Sequence, residues 1–293
     1  MRRGSRLFAD SREKWRKMNM KKLIALLLAL AMMAGMTAAF ADGTLVFGTS
    51  ADYAPFEFMY PDESGNMVYG GIDVMVAQYI ADYLGMELRI ENMDFNYLLT
   101  ALSMGDFDMV LADIEPTEER KNAADFSDPY ISEKPEKILI RVADAEKFQD
   151  AAVDFQGISV GAQTGSTKVD KANDNLTGCN VVSLQLVTDL VNELVNEKVD
   201  ALVLDGSVAE SYAAQYENLV IAEKASEVFG DYNEVAVAVA KGDPKGLLPG
   251  INEAIAKLTA EKKIDEFRAF VDSLQGIQEV SADAPEGYKQ DAQ

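Results

Sequence analysis

The chain contains no histidine and a single cysteine, Cys179, and its acidic residues far outnumber its basic ones. Without imidazole, Ser-His-Asp and Cys-His catalysis and histidine metal sites are excluded. One cysteine cannot form an intrachain disulfide. The 27 Lys and Arg against 49 Asp and Glu give a net charge of −22, which repels nucleic acid. We therefore expect no nucleic-acid partner, no metal ion and no cofactor.

The chain is also poor in long apolar runs, and the run near its start is short. Lys21 and Lys22 precede the apolar run Leu23–Met36, and a small-x-small pattern then leads to Ala41. A basic start, a short apolar segment and small residues are typical of a secretory signal peptide. Spanning a bilayer takes about 20 apolar residues, more than this run offers. We predict a signal peptide over residues 20–41, cleaved after Ala41, with an uncleaved N-terminal anchor as the alternative.

Further segments flank the signal peptide and the folded region. Residues 1–19 resemble upstream translation or a misplaced start, because Met-Lys-Lys at residue 20 is an ordinary signal opening. Removal of residues 1–41 leaves 18 basic and 47 acidic side chains, a net charge of −29. Cys179 is far from the cleavage site, so no lipid-anchor cysteine is expected and the protein should be periplasmic or secreted. Residues 278–293 are predicted to form a flexible tail.

Strand-like apolar segments alternate with amphipathic helical segments along most of the chain. The predicted strands are 44–49, 87–91, 108–112, 137–142, 158–162, 181–184, 201–204, 219–222 and 235–240. The predicted helices are 72–84, 97–104, one starting at about Thr167, 188–198, 207–215 and 251–274. This alternation predicts an α/β fold with parallel sheets covered on both faces.

The pattern divides into two series, and each is long enough for a lobe with its own core. We predict lobe 1 over residues 42–132 and 234–277 and lobe 2 over residues 133–233. Strands 137–142 and 235–240 are placed at the crossings between them. Ligands of open α/β sheets bind beyond the carboxyl ends of the strands, so two facing lobes predict a ligand cleft.

Arg120 stands out because six acidic residues surround it within residues 113–130. A helix is predicted to start near Thr117, which would cap it, and Glu118 and Glu119 then favour the helix dipole. A cation in that first turn is unfavourable for the helix. It is suited instead to gripping a carboxylate beside free backbone N–H groups at a strand end. The alternative is a surface arginine paired with a neighbouring glutamate.

Asp205 is a lone carboxylate directly after the apolar strand 201–204. Its position at a carboxyl end predicts that it faces the cleft, where it can accept a ligand ammonium. The alternative is a capping role for the helix 207–215.

Six segments in the same order resemble the extracellular solute-binding proteins of family 3, the polar amino-acid receptors of ABC importers. They are GTSADYAPFEF (48–58), GGIDVMVAQYIADYLG (70–85), LLTALSMGDFDMVLADIEPTEER (98–120), DFSDPY (125–130), GISVGAQTGSTK (157–168) and VDALVLDGSVAE (199–210). The resemblance runs from about residue 44 to residue 275. It implies a type II periplasmic-binding-protein fold, in which two lobes joined by two hinge strands close on a free amino acid. It also implies delivery to ABC permease membrane subunits, and we expect a monomer.

The resemblance also implies roles for individual residues. Arg120 would grip the α-carboxylate of the ligand, with help from backbone N–H groups near Glu115 and Thr167, and Asp205 would take the α-ammonium. Tyr53 and Phe95 match positions that sandwich the ligand side chain, although both are also compatible with ordinary core aromatics.

Two further parts of the site are implied by position. Ser50 lies where the family tunes polarity around the ligand side chain. Gly165, Ser166 and Thr167 would form a helix-start turn that presents hydrogen-bond donors from lobe 2.

Glu115 departs from the family, which usually has Ser or Thr at this position, and Asp113 lies two residues before it. Three carboxylates facing one cleft, with Asp205 as the third, would favour a cationic ligand. A buried carboxylate needs a partner, however, and Lys168 is a candidate. With that partner no preference for a cation follows.

Two functions follow from these observations. The first is a non-catalytic receptor that delivers an amino acid to an ABC permease. The alternative is an enzyme on the same fold that dehydrates prephenate-like acids. For that chemistry Glu115 and Lys168 form the one candidate acid–base pair.

Overall fold

The computed structural model describes residues 43–274 except residues 63 and 231. The predicted N-terminal extension, signal peptide and C-terminal tail lie outside these residues. Among the helices of the described part, none has the length and apolarity needed to cross a membrane.

Strands and helices alternate along the described chain. The strands are β1 (Thr44–Thr49), β2 (Asp52–Tyr53), β3 (Glu57–Pro61), β4 (Met67–Gly70), β5 (Glu87–Asn92), β6 (Met109–Val110), β7 (Ala124–Glu133), β8 (Lys137–Arg141), β9 (Ser159–Gln163), β10 (Asn180–Leu184), β11 (Ala201–Leu204), β12 (Leu219–Ile221) and β13 (Asn233–Ala240). The α-helices are α1 (Ile72–Leu84), α2 (Leu98–Met104), α3 (Glu118–Ala123), α4 (Thr167–Asn175), α5 (Val187–Val195), α6 (Gly206–Gln215), α7 (Leu248–Ala260) and α8 (Lys263–Ser273). Short 3-10 helices cover Phe95–Tyr97, Val142–Phe148 and Ala225–Val228.

The first lobe is built on a sheet with the strand order β5-β1-β6-β13-β7. β1 runs parallel to β5 and β6, whereas β13 runs antiparallel to β6 and β7. Helices α1, α7 and α8 pack against one another, and Leu45 and Phe47 of β1 are fully buried. A small antiparallel sheet, β2-β3-β4, precedes α1 and holds Tyr53 at its start.

The second lobe is built on a sheet with the order β10-β9-β11-β8-β12. β10, β9 and β11 are parallel, and β8 runs antiparallel to β11 and β12. Side chains alternate across β11, so Leu202 and Leu204 join one buried cluster while Ala201 and Val203 join another. The strand is therefore buried on both faces, as expected for a sheet covered by helices on each side. The predicted two-lobed α/β architecture is confirmed.

The chain passes between the two sheets twice. It leaves β7 and enters β8 through residues 134–136, and it returns from β12 to β13 through residues 222–232. β7 and β13 pair in register from Ala124↔Ala240 to Glu133↔Asn233, with irregularities between. The two crossings are thus adjacent in space, which is the arrangement of a hinge. β8 and β13 each follow a crossing and lie wholly within one sheet.

Several predicted details differ from the structure, and two of them have a clear physical reason. The predicted helix 251–274 is two helices, α7 and α8, separated where Lys262 adopts a left-handed conformation with φ 55°. Strand β7 was not predicted, because its sequence ADFSDPYISE lacks a continuous apolar or alternating pattern. The strand is stabilised by pairing with the apolar β13 and not by the strand propensity of its own residues.

Candidate functional site

The two lobes meet at the carboxyl ends of strands from both sheets. Predicted site residues follow four of these strand ends: Ser50 and Tyr53 after β1, Asp113 and Glu115 after β6, Ser166 and Thr167 after β9, and Asp205 after β11. The carboxyl ends of parallel strands share one edge of a sheet, which brings residues distant in sequence together.

Arg120 lies between the lobes, at the start of α3. Thr117 caps this helix, and its Oγ1 accepts a hydrogen bond of 3.2 Å from the Arg120 backbone N–H. The guanidinium donates to the carbonyl of Glu115 at 3.1 Å and, across the cleft, to the carbonyl of Gly165 at 3.3 Å. It also lies 5.3 Å from the centre of the Phe95 ring. These contacts place the guanidinium in the cleft rather than in a surface pair with a neighbouring glutamate side chain.

Asp205 lies almost fully buried, with 1% of its surface exposed. Its Oδ2 accepts a hydrogen bond of 2.6 Å from the Tyr53 hydroxyl, which belongs to the other lobe. The ammonium of Lys168 lies 2.5 Å from the same oxygen. Asp205 occupies the N-cap position of α6, yet its side chain makes no capping hydrogen bond. The carboxylate is therefore directed to the cleft and not to the helix.

Glu115 finds its partners on the opposite lobe. Its Oε1 accepts hydrogen bonds of 2.9 Å from the Thr167 hydroxyl and 2.9 Å from the Lys168 ammonium. Burial opposes ionisation, but Lys168 and Lys171 outweigh it and hold the pKa of Glu115 at about 2. Burial likewise opposes the charge of Lys168, whose pKa is nevertheless raised by Asp205 and Glu115. Glu115, Lys168 and Asp205 form a charged network across the cleft, with Lys168 at its centre.

Asp113 lies close to Asp205 and Lys168 but has different surroundings. Its backbone has φ 44°, and its N–H donates to Asp73 Oδ2 at 2.8 Å. Its side chain is 5% exposed, and neither carboxylate oxygen has a hydrogen-bond partner among the described residues. Burial, and then the nearby Asp205 and Glu133, raise the pKa of Asp113 well above its ordinary value. Asp113 is thus harder to ionise than an ordinary aspartate, unlike Glu115.

Two predicted serines bond locally and not to the network. The buried Ser50 donates to Asp52 Oδ1 at 3.1 Å, and the Ser166 hydroxyl donates to the Gln163 carbonyl at 2.8 Å. Asp52 itself reaches across the cleft, where its Oδ2 accepts a 2.6 Å hydrogen bond from the Val187 N–H of α5. The sequence did not predict this contact. An aspartate in an exposed turn and an aspartate that bonds to the other lobe can have the same neighbours in sequence.

The sequence also did not predict a second lysine–glutamate ion pair, which lies beside the ion pairs of Lys168. Lys171 follows Lys168 by three residues on α4, so both side chains project from one helix face. Lys171 pairs with Glu136 and donates to the Asn233 side chain at 3.1 Å. The i, i+3 spacing of two lysines is the signal that was available.

Three carboxylates lie close enough together to hold a metal ion, but lysines already occupy their oxygens. Carboxylate oxygens of Glu115, Glu136 and Asp205 lie within 4.8 Å of one another. The ammonium groups of Lys168 and Lys171 already contact these three carboxylates and compensate two of their three negative charges, which leaves a metal ion little to bind.

Two hinged α/β lobes with charged side chains from both meeting in a buried cleft define a receptor that closes on a small ligand. Comparison with known proteins specifies the class further. Residues 45–269 match the sequence model of a protein family, the bacterial extracellular solute-binding proteins, family 3. The chain belongs to that family.

Individual relatives span nearly the same length. The arginine-binding extracellular protein ArtP of Bacillus subtilis (strain 168) is 30% identical over 85% of this chain and 97% of its own. The L-cystine-binding protein TcyJ of Escherichia coli (strain K12) is 27% identical over 79% and 87%. An amino acid ABC transporter substrate-binding protein from Streptococcus pneumoniae Canada MDR_19A, solved bound to L-arginine, is 34% identical. It covers 81% of this chain and 96% of its own, with a TM-score of 0.73.

Proposed function

We propose that the protein is a non-catalytic extracytoplasmic receptor that closes its lobes on a free polar amino acid and delivers it to an ABC permease. The observation that carries this proposal is the meeting of one guanidinium, one ammonium and two carboxylates from opposite lobes in the cleft. A zwitterion offers both charges that such a site can bind. Contacts to both lobes favour the closed state, which a permease can recognise.

Arg120 and Asp205 are the proposed anchors for the two charged groups of the amino acid. The Arg120 guanidinium bonds to two carbonyls, and a carboxylate is a stronger acceptor for the same fork of donors. Asp205 would accept the α-ammonium, with Tyr53 and Phe95 beside the ligand side chain. L-arginine is the first ligand to test, because ArtP is named for arginine and the pneumococcal protein was solved with it.

Calorimetric titration of the protein lacking residues 1–41 with the twenty amino acids tests this function. Loss of one partner of a buried charge pair costs about 2–5 kcal/mol, so Arg120→Ala should weaken binding by roughly 30-fold or more. Arg89→Ala is the matched control, since Arg89 is 59% exposed and pairs on the surface with Glu91. Normal binding by Arg120→Ala, or no binding by the unmutated protein, would contradict the proposal.

The enzymatic alternative is disfavoured by the charges of its candidate pair. A general acid or base works best with a pKa near the operating pH. The pKa of Glu115 is about 2 and that of Lys168 is raised, so both groups are held in their charged forms. The relatives described above are binding proteins. A panel of prephenate-like acids, followed for product formation, should remain unconverted.

We also propose export, with cleavage after Ala41, and a monomeric receptor, in keeping with a family of extracellular proteins. N-terminal sequencing of the exported protein should begin at residue 42. Light scattering after gel filtration should give the mass of one chain.

A further inference from the structure

Lys168 fills the position where a ligand ammonium is expected. It lies in the first turn of α4, where a cation is unfavourable for the helix dipole, and it is only 5% exposed. Its ammonium contacts Asp205 Oδ2 at 2.5 Å and Glu115 Oε1 at 2.9 Å, and the Tyr53 hydroxyl donates to the same Asp205 oxygen. An internal cation therefore uses the acceptors that the ligand also needs.

The contacts of Lys168 come from both lobes, and this distinguishes it from a surface ion pair. Asp205 belongs to the same lobe as Lys168, whereas Glu115 belongs to the other. A ligand ammonium entering between the two carboxylates would share them with Lys168 or displace it from one of them. The cost of doing so depends on the charge that remains in the cleft.

We propose that Lys168 is a specificity-determining residue, a tethered ammonium that sets how much positive charge a ligand can bring into the cleft. With Lys168 present, Glu115 and Asp205 retain one uncompensated negative charge, which matches the α-ammonium alone. Without it, two negative charges remain, which match an α-ammonium plus a cationic side chain. The inference rests on the proposed function, since it requires that an amino acid binds in this cleft.

The test compares ligands of equal shape that differ by one charge. L-arginine and L-citrulline form one such pair, and L-glutamine and L-glutamate form another, so the comparison covers both cationic and neutral polar ligands. Titration calorimetry would measure both pairs with the unmutated protein and with Lys168→Met, each lacking residues 1–41. A charge several ångströms away in a partly buried site changes affinity by at least about tenfold. Lys168→Met should therefore shift the affinity ratio at least about tenfold towards arginine over citrulline, or glutamine over glutamate.

Three further variants separate charge from structure. Lys168→Arg keeps the charge and should keep the unmutated ratio within about twofold. Lys198→Met removes a surface lysine that is 64% exposed and pairs with Glu193, and it should also leave the ratio unchanged. The double variant Lys168→Met/Glu115→Gln restores the local net charge and should bring the ratio back, which a purely structural role of Lys168 would not do.

The outcomes distinguish the two proposals. Binding by the unmutated protein, with a ratio that stays within about twofold in Lys168→Met, overturns this inference and leaves the proposed function intact. If the unmutated protein binds none of the amino acids, the proposed function fails and this inference fails with it. If Lys168→Met loses its circular-dichroism spectrum, the same comparison is made with Lys168→Gln, and an unchanged ratio there overturns the inference equally.

Discussion

Asp73 is expected to destabilise the protein at neutral pH, and Asp73→Asn should remove that effect. The side chain is fully buried in the first turn of α1. Its Oδ2 accepts from the Asp113 N–H at 2.8 Å, and its Oδ1 accepts from the Tyr130 hydroxyl at 2.7 Å. Asparagine has the same shape and keeps one acceptor. Its amide can donate to the carboxyl of Glu57, which already forms a side-chain hydrogen bond with Asp73.

The magnitude follows from the pKa of Asp73. Burial raises that pKa from 3.8 to about 6, with hydrogen bonds from Asp113 and Tyr130 opposing the rise. The folded state therefore keeps a proton between these two pH values that the unfolded state has released. The stability that this proton provides is fully present below pH 3.8 and is lost as the pH rises through about 6. Each pKa unit corresponds to 1.36 kcal/mol, so the loss is about 3 kcal/mol.

Urea denaturation at pH 4 and pH 7.5, followed by far-UV circular dichroism, measures the difference. Tryptophan fluorescence is unsuitable, because Trp15 is the only tryptophan and is absent from protein lacking residues 1–41. The change in unfolding free energy caused by Asp73→Asn should be more favourable at pH 7.5 than at pH 4 by about 2.5 kcal/mol, somewhat less than the full effect because pH 4 lies just above the unfolded pKa. Taking this difference cancels any pH-independent change in packing. Asp174→Asn, at an exposed position of α4, controls for the loss of a negative charge. An equal effect of Asp73→Asn at both pH values would refute the reasoning.

Two further predictions concern the lobe contact and one turn. Tyr53→Phe removes the hydroxyl that joins the lobes through Asp205, a hydrogen bond to a charged group worth about 1.5–3 kcal/mol. Small-angle scattering of the ligand-free protein should show a larger radius of gyration, and an unchanged radius would contradict the role of this contact. Gly71→Ala should lower the unfolding free energy by about 3 kcal/mol, because its φ is 117° and a Cβ would lie 2.0 Å from the Phe56 carbonyl. Gly65→Ala, which also has positive φ but open space around it, should cost about 1 kcal/mol in the same melts, and equal losses would count against the steric argument.

The sequence predicts the positions of strands and helices better than it predicts which of them pair with one another. The strand 201–204 and the helix 72–84 were predicted with the bounds that the structure has, because their apolar patterns are strong. β7 was not predicted, because its formation depends on β13, more than a hundred residues away. The division of helix 251–274 also escaped prediction, since nothing in the local pattern indicates the left-handed conformation of Lys262.

The candidate site shows the same division between local and distant information. Arg120 and Asp205 could be singled out because their charges are unusual for their positions in a helix turn and after a strand. That Glu115 needed a partner also followed from the sequence, and Lys168 was a candidate for it. The additional contact of Lys168 with Asp205 could not be predicted, since it depends on how the two lobes meet.

Several of the contacts that join the lobes are polar, although one buried apolar cluster also contains residues of both lobes, and this bears on how the receptor works. The polar contacts include Tyr53 with Asp205, Glu115 with Lys168, and Asp52 with the Val187 N–H. For buried charged pairs, the cost of removing water offsets much of the attraction, so open and closed states can lie close in free energy. A ligand that prefers the closed state even modestly can then shift the population towards it.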